Sequence, residues 1–279
     1  CENGVQPVVF RAPILPDEIW AGTKAAGMYR TLNFSDFDYL TGAQPKWDTV
    51  NEGLGDYLSI FTLHLDPFNE SGRQYCLAGR EEEDWWWDRF RGPIFRREEP
   101  NDWEIILDFD DVQTLTSQSD TEIFDVCLDP ENEDYVYALA VSANSRSMYL
   151  LKSVDGGDIW TLHDTVVTWW KFYYDELFED FVWRYRLAVK GDEFLINGMH
   201  FYEYGAGQND DTDGGWYSSN GGTVWGLSAK SYWWANDHSG VFIGTDDQYF
   251  PGDWGATTVS IRDLDSDFDP PHLENYAPV

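Results

Sequence analysis

The octet Ser153-Val154-Asp155-Gly156-Gly157-Asp158-Ile159-Trp160 recurs as Ser218-Ser219-Asn220-Gly221-Gly222-Thr223-Val224-Trp225, and both copies read Ser-x-Asp/Asn-x-Gly-x-x-Trp. Each residue of the pattern suits a tight hairpin. Asp155 or Asn220 can bond the backbone of its own turn, Gly157 or Gly222 can take a positive φ, and Ser153 or Ser218 can bond the same loop. Trp160 or Trp225 then opens the next strand and anchors it in a core. A hairpin used more than once implies one supersecondary unit used more than once.

Two further rulers give the unit its length. Degenerate copies lie upstream, one from Arg96 to Trp103 and one beginning Thr31-Leu32-Asn33 and resuming at Trp47, so that Trp47, Trp103, Trp160 and Trp225 are 56, 57 and 65 residues apart. Leu65-Asp66-Pro67 and Leu128-Asp129-Pro130 each follow one alternating apolar run and precede another, which makes Asp-Pro the turn between the first two strands of a unit. The expectation is four-stranded units over 8–50, 58–107, 122–164 and 181–227, with a fifth, irregular one over 232–262. The tail 263–279, with Pro270-Pro271 and Pro278, reads as an extended arm.

The octet resembles the Asp-box of the BNR-repeat β-propellers, a superfamily that includes sialidases and sortilin-like receptors. The resemblance implies an all-β fold, a propeller of about five four-stranded antiparallel blades over 1–262, standing alone or as part of a larger ring. It also implies that Ser153, Asp155, Gly157, Trp160, Ser218, Asn220, Gly222 and Trp225 are structural, because in that family the box joins the third and fourth strands away from the ligand face.

Charge narrows the partners. With 51 acidic against 18 basic residues the net charge is −33, so phosphate backbones are repelled and nucleic acid is excluded as a partner. No apolar run approaches the ~20 residues of a membrane-spanning helix. The acidity fits either a salty setting, where screening tolerates self-repulsion, or an ordinary acidic extracellular protein. Cys1 reads as a processed N-terminus, a lipid-modified cysteine or the start of a piece of a longer chain. Cys76 and Cys127 sit inside apolar strand patterns and read as buried thiols, with a Cys76–Cys127 disulfide as the lesser reading.

Function in such a fold belongs to the loops. One insertion carries Trp85, Trp86, Trp87, Arg89 and Arg91; a second carries Trp169 and Trp170, and Trp233 and Trp234 could extend the same surface. Three consecutive Trp residues cannot all face one core from a strand. Aromatics flanked by Arg and Asp serve a blade edge, a protein interface or a stacked sugar. A third insertion holds Asn209, Asp211 and Asp213 followed by Gly214, similar to a calcium loop but without its distal Glu; the alternative is a solvated acidic loop.

The enzymatic alternative is a sialidase-like glycoside hydrolase. Phe10-Arg11-Ala12-Pro13 is similar to the Arg-Ile-Pro motif of sialidases, which would make Arg11 alone the carboxylate grip; Asp17 as acid and Arg184 or Arg186 and Arg262 as the rest of the clamp are nominations that no local motif supports. His64, His163, His200, His238 and His272 show no metal-ligand spacing. Asn33 and Asn69 head glycosylation sequons. The favoured expectation is a non-catalytic adhesive or structural module, extracellular, on a cell surface or on a virion. Its partners would be protein subunits of that assembly, including copies of itself, with glycan as the next candidate and no certain cofactor beyond calcium as an open option.

Overall fold

In this computed structural model the described residues are 8–11, 17–23, 25–38, 40–65, 72–81, 89–90, 92–142, 145, 147–168, 186–202, 211–223, 226–227, 240–243, 248–252, 260–263 and 274–275. They form five sheets, each laid out as an antiparallel meander in chain order. The first comprises β1 (Val8–Arg11), β2 (Ile19–Gly22), β3 (Met28–Thr31) and β4 (Asp48–Thr49). The second comprises β5 (Ser59–Leu65), β6 (Arg73–Glu81), β8 (Ile94–Glu98) and β9 (Glu104–Leu107), with the short β7 (Arg89–Phe90) hydrogen-bonded to the end of β6. The third is β10 (Thr121–Leu128), β11 (Val136–Ser142), β12 (Ser147–Ser153) and β13 (Trp160–Thr168). The fourth is β14 (Arg186–Lys190), β15 (Glu193–Tyr202), β16 (Asp211–Ser218) and β17 (Gly226–Leu227), and the fifth β18 (Gly240–Ile243), β19 (Gln248–Gly252), β20 (Ser260–Asp263) and β21 (Glu274–Asn275).

The first strands β1, β5, β10, β14 and β18 lie side by side in that order. Four-stranded blades radiating from adjacent first strands make this a β-propeller, with five sheets among the described residues.

Strand composition follows from what lies on each face. Successive side chains of a strand point to opposite faces. In β6, Tyr75 and Leu77 enter the core between the second and third sheets, while Cys76 and Ala78 enter the core between the first and second. In β11, Val136, Ala138 and Ala140 face the second sheet, and Tyr137, Leu139 and Val141 face the fourth. A sheet buried on both faces needs a nearly continuous apolar run, which is why every residue of Val136–Ser142 is buried. Each large aliphatic or aromatic side chain so buried contributes roughly 1.5–3 kcal/mol.

The structure departs from the sequence expectations at several places. A helix, α1 (Phe109–Thr116), links β9 to β10; Asp108 caps it by accepting from Asp111 N, and the Asp111 carboxylate accepts from Asp108 N in return. Its Val112 and Leu115 close the edge of the core between sheets two and three. Trp47, expected to anchor a strand, is exposed on the loop before β4. The β6–β8 and β11–β12 registers both place an aromatic, Tyr75 or Tyr137, opposite Arg96 or Lys152, so Arg97 rather than Arg96 matches Ser153. Cys76 and Cys127 are free and lie in different cores, so the disulfide reading is replaced by two buried thiols. Glu274–Asn275 pairs with β20, so the tail read as an arm supplies the outer strand of the fifth sheet.

Candidate functional site

Both octets fold into hairpins around the serine. Ser153 Oγ donates to Asp155 Oδ1 at 2.7 Å and accepts from Gly157 N at 2.8 Å and Asp155 N at 3.3 Å. Asp155 Oδ1 also accepts from Ile159 N at 2.9 Å, closing the turn on its other side. In the second copy Ser218 Oγ donates to Asn220 Oδ1 at 2.8 Å and accepts from Gly222 N at 3.1 Å. Gly156 and Gly157 have φ of 72° and 104°, and Gly221 and Gly222 of 70° and 79°, values that side chains with a Cβ rarely adopt. The Ser153 hydroxyl, followed by Ile159 N–H, holds the Asp155 carboxyl below its ordinary value. Trp160 is buried between the second and third sheets, as a strand anchor should be. Trp225 lies outside the described residues.

Each of these turns is grasped by the sheet before it. Tyr75 Oη donates to Gly156 O at 3.1 Å, and Arg96 Nη1 donates to the same carbonyl at 2.9 Å and to Asp158 Oδ1 at 2.7 Å. Arg73 Nη1 bonds Asp134 Oδ1 at 3.0 Å across the same interface. Between sheets one and two, Arg30 lies 5.1 Å from the Trp20 ring centroid and pairs with Glu99, in the β8–β9 turn, and with Glu18 at 2.7 Å. Trp103 Nε1 donates to Val50 O at 2.8 Å.

Between sheets three and four the clasp has different chemistry. His163 Nε2 lies 2.6 Å from Gly221 O, which fixes the proton on Nε2, and its ring is 6.0 Å from Phe194 and 6.1 Å from Tyr137. Asp129 Oδ1, buried in the Asp-Pro turn, accepts from Glu131 N at 2.9 Å and from Gly191 N at 3.0 Å, tying the first turns of the two sheets together. Asp125 Oδ2 accepts from Leu187 N at 2.9 Å. Lys152 Nζ rests 3.8 Å from the Tyr135 centroid and 5.1 Å from that of Tyr137. Burial lowers its pKa against the raising influence of Asp129 and Asp192, and burial, with Asp129 next, raises that of the Tyr137 phenol. These groups line a solvent-open cavity of about 290 Å³ whose lining includes Asp129, Glu131, Tyr135, Lys152, His163 and Asp192. Nothing in the sequence reading singled it out, because its lining is spread over seven strands and turns.

A second feature lies on the first sheet. Several polar groups of the segment between β3 and β4 are tied to its own backbone or to Asp17. Asn33 Oδ1 accepts from Thr31 Oγ1 at 2.9 Å and Lys46 N at 3.1 Å, Asp17 Oδ1 from Ser35 N at 3.2 Å, and Asp38 Oδ1 from Leu40 N at 2.8 Å. Its apolar groups point out. Five of the nine exposed large apolar side chains among the described residues are Leu32, Phe34, Phe37, Leu40 and Trp47, with Leu40 at 92% exposure and the Phe34 and Phe37 rings stacked at 6.4 Å.

Of the residues expected to bind partners, Trp85, Trp86, Trp87, Arg91, Trp169, Trp170, Trp233 and Trp234 lie outside the described residues. Arg89 falls on β7, opposite Glu81. Asn209 also lies outside them, but Asp211 and Asp213 do not form a loop: they are on β16, in register with Tyr202 and His200. An extended chain spaces alternate residues along the strand, whereas a calcium loop curls to bring its oxygens together. Arg11 ends β1, Arg186 begins β14 and Arg262 lies on β20, while Arg184 is outside the description. Asp17, nominated as an acid, has its carboxylate on Ser35 N and its carbonyl on Phe34 N, holding the β3–β4 segment.

No family model and no curated protein matches the chain. Among solved structures it is similar to the calcium-binding protein regucalcin from Agrobacterium tumefaciens str. C58, at 9% identity over 94% of this chain and 70% of that one, with a TM-score of 0.49. It is similar to YCF48 from Cyanidioschyzon merolae at 10% identity over 99% and 73%, TM-score 0.49. It is also similar to the GH74 enzyme of Niastella koreensis at 12% identity over 97% of this chain and half of that one, TM-score 0.40.

Proposed function

We propose that the chain is a non-catalytic β-propeller that binds protein, and that the segment between β3 and β4 is a docking surface for a segment bearing both basic and apolar side chains. The supporting observation is the cluster of exposed apolar side chains on that segment. Asn33, Asp17 and Asp38 bond its backbone, while Leu32, Phe34, Phe37, Leu40 and Trp47 are exposed. Aromatic groups presented on a preordered backbone lose little further entropy on binding, which is how interface hot spots work. Asp17, Asp36, Asp38 and Asp48 are in or beside the same segment, and with the net charge of −33 they favour a cationic partner over a second copy of this acidic chain.

The two octet hairpins belong to the same reading as Asp-boxes of BNR type, supported by their serine-centred bonding and by their use as acceptors between blades rather than as ligand contacts. An extracellular, cell-surface or virion setting is supported by the acidic composition. The aromatic insertions around Trp85 and Trp169 would extend the adhesive surface.

The test is selection from a random peptide library displayed on phage, against the full chain and against a Phe34→Ser/Phe37→Ser/Leu40→Ser variant. Enriched peptides should combine Arg or Lys with Leu or aromatic residues and should lose binding to the variant, whose exposed positions leave the fold intact. Peptides that bind both proteins equally, or no enrichment, would overturn the assignment. Release of a fluorescent aglycone from a sialoside by the wild-type chain would favour the glycosidase instead.

A further inference from the structure

Three successive sheet interfaces place a cation at one repeat-related position. The third-strand residue opposite a second-strand aromatic is Arg30 opposite Trp20, then Arg96 opposite Tyr75, then Lys152 opposite Tyr137. At the first two interfaces the guanidinium crosses to a carboxylate in the following sheet's third turn, Glu99 or Asp158. At the third, the residue matching Asp158 within the octet is Thr223, and Lys152 stays on the tyrosines; among the described residues it pairs with no carboxylate.

The neighbouring position changes in the same way. Two residues before Tyr75 stands Arg73, which bonds Asp134, and two residues before Tyr137 stands Tyr135. Asp134 O accepts from Gly156 N at 2.9 Å, and Asp192 O accepts from Gly221 N at 2.9 Å, so Asp192 is the counterpart of Asp134. Between sheets two and three, two guanidinium groups therefore fill the space under the turn. Between sheets three and four, both are replaced, the space is the 290 Å³ cavity, and the matching acidic residue is retained. Among the described residues the carboxylates of Asp192 and Glu131 enter no hydrogen bond or ion pair, and both line the cavity.

We propose that this cavity binds a guanidinium group supplied from outside the chain, which displaces the Lys152 ammonium from Tyr135 and Tyr137 and takes Asp192 and Glu131 as its carboxylate partners. A planar guanidinium satisfies both demands, accepting a ring against its face while its edge meets carboxylates, and an ammonium does so less well. The guanidinium is either that of a free small molecule or an arginine side chain on a partner. This site is separate from the docking surface between β3 and β4 and does not depend on it.

Calorimetric titration of the full chain at low salt with agmatine, a capped arginine tripeptide and a capped lysine tripeptide tests the proposal. Agmatine or the arginine peptide should bind one to one, with the lysine peptide at least about tenfold weaker. Agmatine alone, or both, identifies a free guanidinium as sufficient; binding by the peptide alone identifies a partner's arginine. Asp192→Asn should weaken binding about tenfold or more. The double variant Tyr135→Arg/Lys152→Arg, which rebuilds the arrangement between sheets two and three, should abolish binding while the melting temperature is kept or raised. Failure of both guanidinium probes to bind, equal binding of the lysine peptide, or unchanged binding by Asp192→Asn would each overturn it, and the last holds even if the double variant does not fold.

Discussion

Replacing Ser153 by Ala separates the physical role of the first octet from its mere presence. The hydroxyl is the hub of the turn, and removing it leaves Gly157 N–H, whose bond at 2.8 Å is buried, without its acceptor. An unsatisfied buried donor costs about 1–3 kcal/mol. The bond to Asp155 goes with it, but that carboxylate is near the surface and adds little, so the expected loss is about 2 kcal/mol. For a domain of this size that lowers the melting temperature by roughly 4–8 °C. The pH dependence gives a second signature. The Asp155 pKa is depressed by Ser153, so its contribution is complete above the ordinary carboxyl value of 3.8 and disappears as pH falls through the folded value. The gap between wild type and Ser153→Ala, measured by urea unfolding, should therefore narrow below about pH 4. A loss under about 0.5 kcal/mol at pH 7, within the range of ordinary surface substitutions, would refute the hub.

Gly157→Ala places a Cβ 2.5 Å from Ile106 Cδ1 at a φ of 104°, so it should cost well over 1 kcal/mol, against a smaller loss for Gly42→Ala, where φ is 73° and nothing lies within 4 Å; thermal denaturation ranks the two. Tyr75→Phe removes one buried bond to Gly156 O and should cost about 1 kcal/mol by urea midpoint. Burial raises both the Cys76 and Cys127 thiols well above their ordinary value, so thiol reagent at pH 8 should modify them only after unfolding, as peptide mass mapping would show.

Much of the architecture is legible locally. In the third sheet each strand is bracketed by a turn with a chemical reason readable in the sequence, Asp-Pro at Asp129 or the octet at Ser153. The helix α1 carried a readable sign, Asp108 and Asp111 three apart before Val112, but its 8 residues sit where a linker between repeats was expected. The pairing of Glu274–Asn275 with β20 and the exposure of Trp47 are settled by distant chain, which no local window contains. The cavity was visible only in retrospect: aligning Arg30, Arg96 and Lys152 by strand register reveals the change of cation, whereas aligning by the octets alone shifts the second copy by one residue and hides it.

The clasps between sheets run both forward and backward along the chain. Arg30 reaches ahead to Glu99, Tyr75 and Arg96 to Gly156, and His163 to Gly221, whereas Trp103 Nε1 reaches back to Val50 O, Leu187 N to Asp125 and Gly191 N to Asp129. During synthesis, then, the forward-reaching donors and cations of a blade stay in water until roughly another sixty residues have followed, while the backward-reaching donors meet acceptors already made. Shortening the chain from either side therefore strands donors, those of Tyr75 and His163 when a later blade is lost and those of Trp103 and Leu187 when an earlier one is.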